Sequence, residues 1–215
     1  MRFTIREPGS ALTHLAAVLM VMVAAIPLLV KAGLQGAVPS AAMIVFVVSL
    51  ILLYGASTTY HTVNLAGRAL RVFQKIDHMM IFVLIAGSYT PVTLLVLPRE
   101  TGLPLFFAVW GIAFAGMVFN ICWISCPKWV SSVIYIALGW ACLPVCADLY
   151  RILSPAAFGW LLAGGLIYTA GGVIYALKLP VFNEKHKYFG SHEIFHLFVM
   201  GGSLCHFVFM FRYVL

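Results

Sequence analysis

Two histidines four residues apart, His192 and His196, stand in the segment Gly190 to Phe207, which reads GSHEIFHLFVMGGSLCHF. If this segment is helical, residues four apart differ by about 400° of rotation and about 6 Å of rise, so both imidazoles project from one face. Such a pair is a bidentate site that suits zinc. The pattern H-E-x-x-H also occurs in zinc proteases, in which the intervening glutamate, here Glu193, is the general base. A catalytic zinc usually has three protein ligands, so a third must come from elsewhere.

Three more polar residues are predicted to lie at the same depth as this pair. His61 is near the end of the second apolar segment, with Ser57 four residues earlier on the same helical face, and Asp77 is near the start of the third. Consecutive membrane helices run in opposite directions, so the end of helix two, the start of helix three and the start of helix seven meet at one membrane boundary. The topology therefore predicts that these side chains converge.

Together these residues predict a zinc centre with an open position. His61, His192 and His196 would give three neutral nitrogen ligands and leave the fourth position for water. Asp77 could hold and deprotonate that water, and Ser57 could hydrogen-bond to it or to a ligand. The implied reaction is hydrolysis of an amide or ester, with a membrane lipid as the candidate substrate.

Each of these residues also has a simpler interpretation. Asp77 could be an acid in the first turn of its helix that complements the helix dipole. The Ser57 hydroxyl could bond back to the carbonyl of Leu53 in its own helix. His61 could be an interfacial histidine, and the helix-seven pair could bind neighbouring groups or lipid headgroups. The sequence leaves these alternatives open.

The remaining residues of this kind fit the centre less well. Glu193 is about 100° from its histidine neighbour around the helix, so we expect it to face headgroups. His206 is ten residues beyond the pair, about 15 Å away along the helix, and is expected to pack in the bundle. His14 could contact the ligands, whereas His78 is expected to point elsewhere and His186 to lie in a loop.

The composition indicates an integral membrane protein. Of 215 residues, 63% are hydrophobic and only 9% are charged, whereas soluble domains carry about 25% charged residues. The net charge of +7 comes from basic residues in the gaps between apolar runs, so they are topology signals and do not indicate nucleic-acid binding. Five cysteines without a C-x-x-C motif argue against a disulfide framework or a thiolate metal site.

The apolar runs predict an all-α fold, a single seven-transmembrane helix bundle over residues 1–215. Boundary charges predict a cytoplasmic N-terminus and an outside C-terminus, because nine basic residues fall on one side and four on the other. The predicted spans are Ala11–Val30, Ala41–Val63, Gln74–Leu97, Leu103–Trp123, Trp129–Leu149, Ala156–Leu177 and Phe189–Tyr213. The nine are Arg2, Arg6, Arg68, Arg71, Lys75, Lys128, Lys178, Lys185 and Lys187, and the four are Lys31, Arg99, Arg151 and Arg212.

Glycine and proline patterns predict local features of the bundle. Two glycine pairs seven residues apart in helix six predict a close-packing surface. Prolines inside spans predict kinks, because each removes a helical hydrogen bond. The glycines are Gly164, Gly165, Gly171 and Gly172, and the prolines are Pro27, Pro91 and Pro144.

Four segments resemble the bacterial haemolysin III family, which belongs to the progestin and adipoQ receptor superfamily that includes the adiponectin receptors. They are EPGSALTH, YGASTTYH, KIDHMMIFVLIAGSYTP and HEIFHLFVMGGSLCHF. The resemblance implies a seven-helix protein of the bacterial inner membrane with zinc near the cytoplasmic face, held by His61, His192 and His196, with Asp77 and Ser57 around the water. It also implies that the family tolerates non-acidic residues at the position of Glu193, which makes this residue a poor candidate for an obligatory base.

The resemblance implies several functions. Its relatives include receptors with ceramidase-like hydrolase activity, which favours a zinc-dependent lipid hydrolase. The alternatives are a non-enzymatic receptor or membrane-homeostasis protein with structural zinc, and a cytolysin as the family name suggests. An intramembrane zinc protease that uses Glu193 is the weakest alternative, because His61 and Asp77 already complete a three-histidine site.

Overall fold

The protein is all-helical over the residues that the computed structural model describes, 4–123, 126–177 and 190–215. Seven spans are long and apolar enough to cross a membrane, which confirms the predicted fold class. The helices are α1 (Pro8–Gln35), α2 (Ala37–Thr62), α3 (Gly67–Pro91), α4 (Arg99–Cys122), α5 (Lys128–Gly139), α6 (Cys146–Ile152), α7 (Pro155–Leu177) and α8 (Ser191–Phe209). Helices α5 and α6 together form the fifth span. Phe189, the predicted start of the seventh span, lies outside the described residues.

Helix α3 begins earlier than the prediction, and this changes the setting of Asp77. The helix starts at Gly67 instead of Gln74, because alanine, arginine and leucine are good helix formers and extend the helix beyond its apolar run. Asp77 is therefore ten residues inside α3, about 15 Å from its start. The dipole effect fades within the first turn, so the interpretation of Asp77 as a helix-terminal charge is wrong.

The fifth span is broken at Pro144, in line with the predicted kink. Proline has no N–H, so the Trp140 carbonyl loses the donor that a continuous helix would supply. The Leu143 N–H instead donates to Trp140 at 3.0 Å, in a short 3₁₀ segment, Leu143–Val145. The Gly139 carbonyl consequently loses its own helical donor. Of the other two prolines, Pro91 ends α3 before a π-helical turn, Val92–Val96, and Pro27 lies inside α1, which runs unbroken from Pro8 to Gln35.

Tyr89 of α3 bonds to the backbone groups that this break exposes. Its hydroxyl donates to the Gly139 carbonyl at 2.7 Å and accepts from the Cys142 N–H at 3.0 Å. Backbone groups within the hydrocarbon must be satisfied inside the protein, because no water is available there. A single phenol from a neighbouring helix thus makes the break in the fifth span tolerable.

The predicted glycine surface of α7 is confirmed in part. A Cβ on Gly164 would lie 2.3 Å from the His206 ring, and one on Gly171 would lie 2.7 Å from the Cβ of Phe198, so both glycines let α8 approach closely. Gly172 faces Ile136 of α5, whereas Gly165 faces open space. Helix α7 therefore uses its glycines mainly to place α8.

Helix α1 lies against both helices that carry the predicted ligands. It packs along α2 and also contacts α8. One end of α1 lies beside the three predicted ligands, and this end of the bundle is called the histidine end. At the opposite end, Lys31 Nζ donates to the Phe211 carbonyl at 2.7 Å and Gln35 bonds to the Leu215 carbonyl. Both ends of α1 are thus attached to the last span.

We expect Tyr89→Phe to lower the free energy of unfolding by about 1–3 kcal/mol, because it leaves a carbonyl and an N–H without partners in an apolar setting. The measurement is reversible unfolding by sodium dodecyl sulfate in mixed micelles. Tyr150→Phe is the matched control, since Tyr150 is 66% exposed. Equal stability of the two variants would contradict the bridging role of Tyr89.

Candidate metal centre

The structure brings together the three histidines that the sequence singled out. His61 lies in the last turn of α2, and His192 and His196 lie in the first two turns of α8. One ring nitrogen from each can be chosen so that all three lie within 4.8 Å of one another. His61 and His196 are buried and His192 is half-buried, so the cluster sits inside the histidine end of the bundle.

The donor atoms fit a small divalent metal. His61 Nε2 and His192 Nε2 are 3.1 Å apart. Two nitrogens bound to one tetrahedral zinc ion would be about 3.4 Å apart, given Zn–N distances of about 2.0–2.1 Å. The His196 ring lies 4.5 Å from that of His192 and 5.2 Å from that of His61, between ring centroids. Three imidazoles converging at this spacing are compatible with a metal site.

Glu7, just before α1, holds His61 from the side away from the cluster. Its carboxylate is hydrogen-bonded to His61 Nδ1, and its backbone N–H donates to the His61 carbonyl at 3.0 Å. The hydrogen bond from His61, assisted by the charges of His61 and Arg6, lowers the pKa of Glu7 to about 2 against the opposing effect of partial burial. Glu7 is therefore an ionised acceptor, so His61 Nδ1 carries a proton, and in the neutral form of the ring Nε2 is the atom with the lone pair.

Thr13 of α1 holds His196 in a similar way. The Thr13 hydroxyl donates to the Ser10 carbonyl at 2.9 Å, so its oxygen is left to accept from His196 Nδ1, 3.1 Å away. His196 Nε2 is then the unprotonated nitrogen. His14 stacks on the His196 ring, with centroids 3.5 Å apart and planes 10° apart. The sequence suggested contact between His14 and the ligands, and this contact is observed.

Glu193 does not face headgroups, so that prediction is wrong. One of its oxygens accepts from the Gly190 N–H at 2.7 Å, which caps the start of α8. The other accepts from the Ser10 hydroxyl of α1. A carboxylate at the third position of a helix is well placed to bond back to the helix start, and α1 supplies the second donor. One carboxylate oxygen therefore caps α8, and the other joins α8 to α1.

Asp77 and Ser57 lie beside the cluster, as predicted. Asp77 is 7% exposed and Ser57 is 1% exposed, and Asp77 interacts with both Ser57 and His61. The Ser57 hydroxyl makes no hydrogen bond of standard geometry with any described residue, so the alternative bond to the Leu53 carbonyl is not formed. Asp77 is buried near the ligands without being one of the three clustered donors.

Two cavities meet at Asp77 and His192. The first, about 210 Å³, is mostly apolar and extends from these residues past Tyr168 to Leu149 and Phe158, near the opposite end of the bundle. The second, about 340 Å³, is more polar and lies at the histidine end, with Glu7 in its wall. The three-histidine cluster thus lies between a long apolar space and a polar one.

Of the other histidines, His206 packs in the bundle as expected, whereas His78, which was expected to point away from the site, lines the same two cavities as Asp77 and His192. His206 is not part of the cluster and packs over Gly164 and edge-on to Tyr168, 5.3 Å between ring centroids. His186 lies outside the described residues.

The contribution of α1 is the part of the site that sequence reasoning missed, apart from His14. The sequence does contain an indication of this contribution, namely polar residues at the start of an apolar helix. Glu7, Ser10 and His14 are spaced i, i+3 and i+7, which places them on one helical face. Such a polar face at the start of a membrane helix needs partners inside the bundle.

Comparisons with known proteins agree with this architecture. A family model described as Haemolysin-III related matches residues 3–207. The chain is 33% identical over 215 residues to "Hemolysin-3" from Bacillus cereus, covering 100% of this chain and 94% of the relative. It is 35% identical over 203 residues to "Hemolysin-3 homolog" from Bacillus subtilis (strain 168), covering 94% and 91%.

A more distant similarity covers part of the chain. It is 40% identical over 58 residues to "Adiponectin receptor protein" from Drosophila melanogaster, covering 26% of this chain and 13% of that protein. This similarity agrees with membership of the progestin and adipoQ receptor superfamily. With a family model that spans most of its length and two relatives matched nearly end to end, the chain belongs to the haemolysin-III-related family.

Proposed function

We propose that this protein is a zinc-dependent hydrolase of lipid amide or ester bonds in the bacterial inner membrane, with its centre near the cytoplasmic face. One observation carries the proposal. Three imidazoles converge beside a buried carboxylate, and two of them, with that carboxylate, line the histidine end of a long apolar cavity. Lipid-binding sites combine such an apolar cavity with a few placed polar groups.

Zinc is the metal that this donor set suits best. Three neutral nitrogen ligands with room for a further group is the arrangement of many catalytic zinc sites. His61, His192 and His196 would hold the ion. A zinc ion so held acts as a Lewis acid, which makes water nucleophilic at neutral pH. We infer the identity of the metal from the chemistry of these ligands.

Asp77, Ser57 and the apolar cavity would each have a different role in this reaction. Asp77, buried at the junction of the two cavities, is placed to take the proton from the attacking water and to return it to the leaving group. Ser57 lies beside Asp77, where its hydroxyl would bond to the same water or to the substrate carbonyl. The apolar cavity would hold the acyl chain of the substrate. The substrate carbonyl would then lie at the histidine end of this cavity.

Two alternatives are less well supported by the geometry. A protease that uses Glu193 as its base needs a free carboxylate, whereas both of its oxygens accept hydrogen bonds. The relatives are named for haemolysis, but a cytolysin would have to insert into the membrane of another cell. The main alternative is a receptor or homeostasis protein with a structural metal. Hydrolysis of a lipid by the purified protein would distinguish the hydrolase from this alternative.

We expect about one zinc ion per purified chain, and loss of this zinc in both His61→Ala and His196→Ala, because each removes one of three ligands. The measurement is metal content by mass spectrometry. His206→Ala is the matched control, a histidine of the same helix outside the cluster, and it should keep its zinc. A folded parent protein without zinc would contradict the metal centre.

Asp77→Asn should abolish hydrolysis while zinc is retained, because the amide cannot act as a base. We expect the rate to fall by about 10²–10⁴ fold. The measurement is release of fatty acid from a panel of ceramides and acyl esters in detergent micelles. Asp148→Asn, which makes the same charge change near the opposite end of the bundle, should leave the rate unchanged. A zinc-loaded parent that turns over no member of the panel would instead favour the receptor alternative.

The proposed orientation predicts which side of the membrane each end of the bundle faces. Alkaline phosphatase, which is active only after export, should be active when fused after Leu215 and inactive when fused after Asn64, between α2 and α3. A fluorescent protein that matures only in the cytoplasm should give the reverse pattern. Activity of the phosphatase at Asn64 would place the histidine end outside.

A further inference from the structure

The ligands of the proposed metal centre belong to two helices that are brought together by a third. His61 is on α2, and His192 and His196 are on α8. Helix α1 contacts both of them. The hydrogen bonds from the start of this helix to the site go either to a predicted ligand or to Glu193, the neighbour of His192. Glu7 bonds to His61, and Thr13 bonds to His196.

The two links have the same chemical effect on their histidines. Each ties the Nδ1 atom to an acceptor, the Glu7 carboxylate in one case and the Thr13 hydroxyl in the other, and so leaves Nε2 unprotonated. For His61, this unprotonated Nε2 is within hydrogen-bond distance of His192 Nε2, 3.1 Å away. Partners on the distal nitrogen of a metal-binding histidine fix its tautomer and ring orientation and raise its basicity.

The Glu7 side chain is itself held in place. Arg6 lies 3.2 Å from the Glu7 carboxylate, and its guanidinium stacks over the Tyr60 ring, 4.2 Å from the centroid. Tyr60 is the neighbour of His61 in α2. The carboxylate is therefore fixed between an arginine on one side and the histidine on the other, although the Glu7 side chain is 47% exposed.

We propose that Glu7 is a positioning residue for the metal centre, which holds the His61 ring so that Nε2 faces the ligands of α8. Thr13 has the corresponding role for His196. This inference rests on the proposed metal centre and adds to it: the start of α1 sets the affinity for the metal without contributing a ligand. An exposed carboxylate that only packed helices together would have no effect on that affinity.

The test is the equilibrium zinc affinity of the full-length protein in detergent, measured by competition with a chromophoric chelator. Glu7→Gln keeps the size of the side chain but replaces the charged acceptor by a neutral one. We expect it to raise the zinc dissociation constant by about 10–100 fold, as is typical when the partner of a metal-binding histidine is lost. Glu100→Gln is the matched control, because Glu100 is an exposed acid in the first turn of α4 and should not change the constant.

Thermal unfolding distinguishes positioning from packing. Loss of the bond between Glu7 and His61 should lower the unfolding midpoint in excess chelator as well, so the quantity to compare is the rise in midpoint on adding zinc. If Glu7 positions His61, this rise should be smaller in the variant than in the parent. An equal drop in the midpoint with and without zinc, at unchanged zinc affinity, would overturn the inference. If Glu7→Gln does not fold, Thr13→Val tests the same role at His196, where an affinity within twofold of the parent would overturn it.

The outcomes separate this inference from the proposed function. A parent that binds no zinc removes the metal centre, and the inference with it. A parent that binds zinc with an affinity unchanged in Glu7→Gln leaves the metal centre in place and refutes only the role of Glu7.

Discussion

A buried imidazole nitrogen without a hydrogen-bond partner is destabilising, and hydrogen bonds to the Nδ1 atoms of His61 and His196 hold the histidine end of the protein together. Two of the three clustered rings, those of His61 and His196, are held through Nδ1 by Glu7 just before α1 and by Thr13 inside it, and the opposite nitrogen of His61 lies 3.1 Å from His192 Nε2. The same helix contacts α2 and α8, so the partner for each ring comes from the element that also joins the two helices. The start of the first helix therefore both satisfies the buried Nδ1 atoms of these two rings and brings α2 and α8 together.

The same constraint acts on the backbone in the middle of the membrane. Pro144 removes a donor from the fifth span, and the resulting exchange of hydrogen bonds leaves groups of Gly139 and Cys142 to be satisfied by Tyr89 of another helix. The polar side chains Tyr54, Tyr168 and Ser203 behave similarly, since both phenols bond to the one serine hydroxyl deep in the bundle. These polar groups away from water are thus gathered into small sets whose members satisfy one another.

Much of this arrangement is predictable from sequence because it depends on local patterns. Apolar length gives the spans, and alternating helix direction places His61, Asp77 and the α8 pair at one depth. What local patterns do not give is the choice of partner. Ser10 and Glu193 are separated by 183 positions in the chain, and the start of an apolar helix does not indicate which other helix its polar face will meet. Asp77 shows a second limit: the start of α3 is set by helix propensity beyond the apolar run, so an estimate from hydropathy alone placed this residue at the wrong point in its helix.

The attachment of α1 to α8 also bears on the order in which the protein is made. Helix α1 leaves the ribosome long before α8, yet the site needs His61 from the second helix and both histidines of the last. The cluster can form only when α8 has entered the membrane and has met the start of α1. Capture of the proposed metal would therefore be coupled to completion of the bundle, because a chain interrupted before the last span would carry Glu7 and Thr13 but only one of the three histidines.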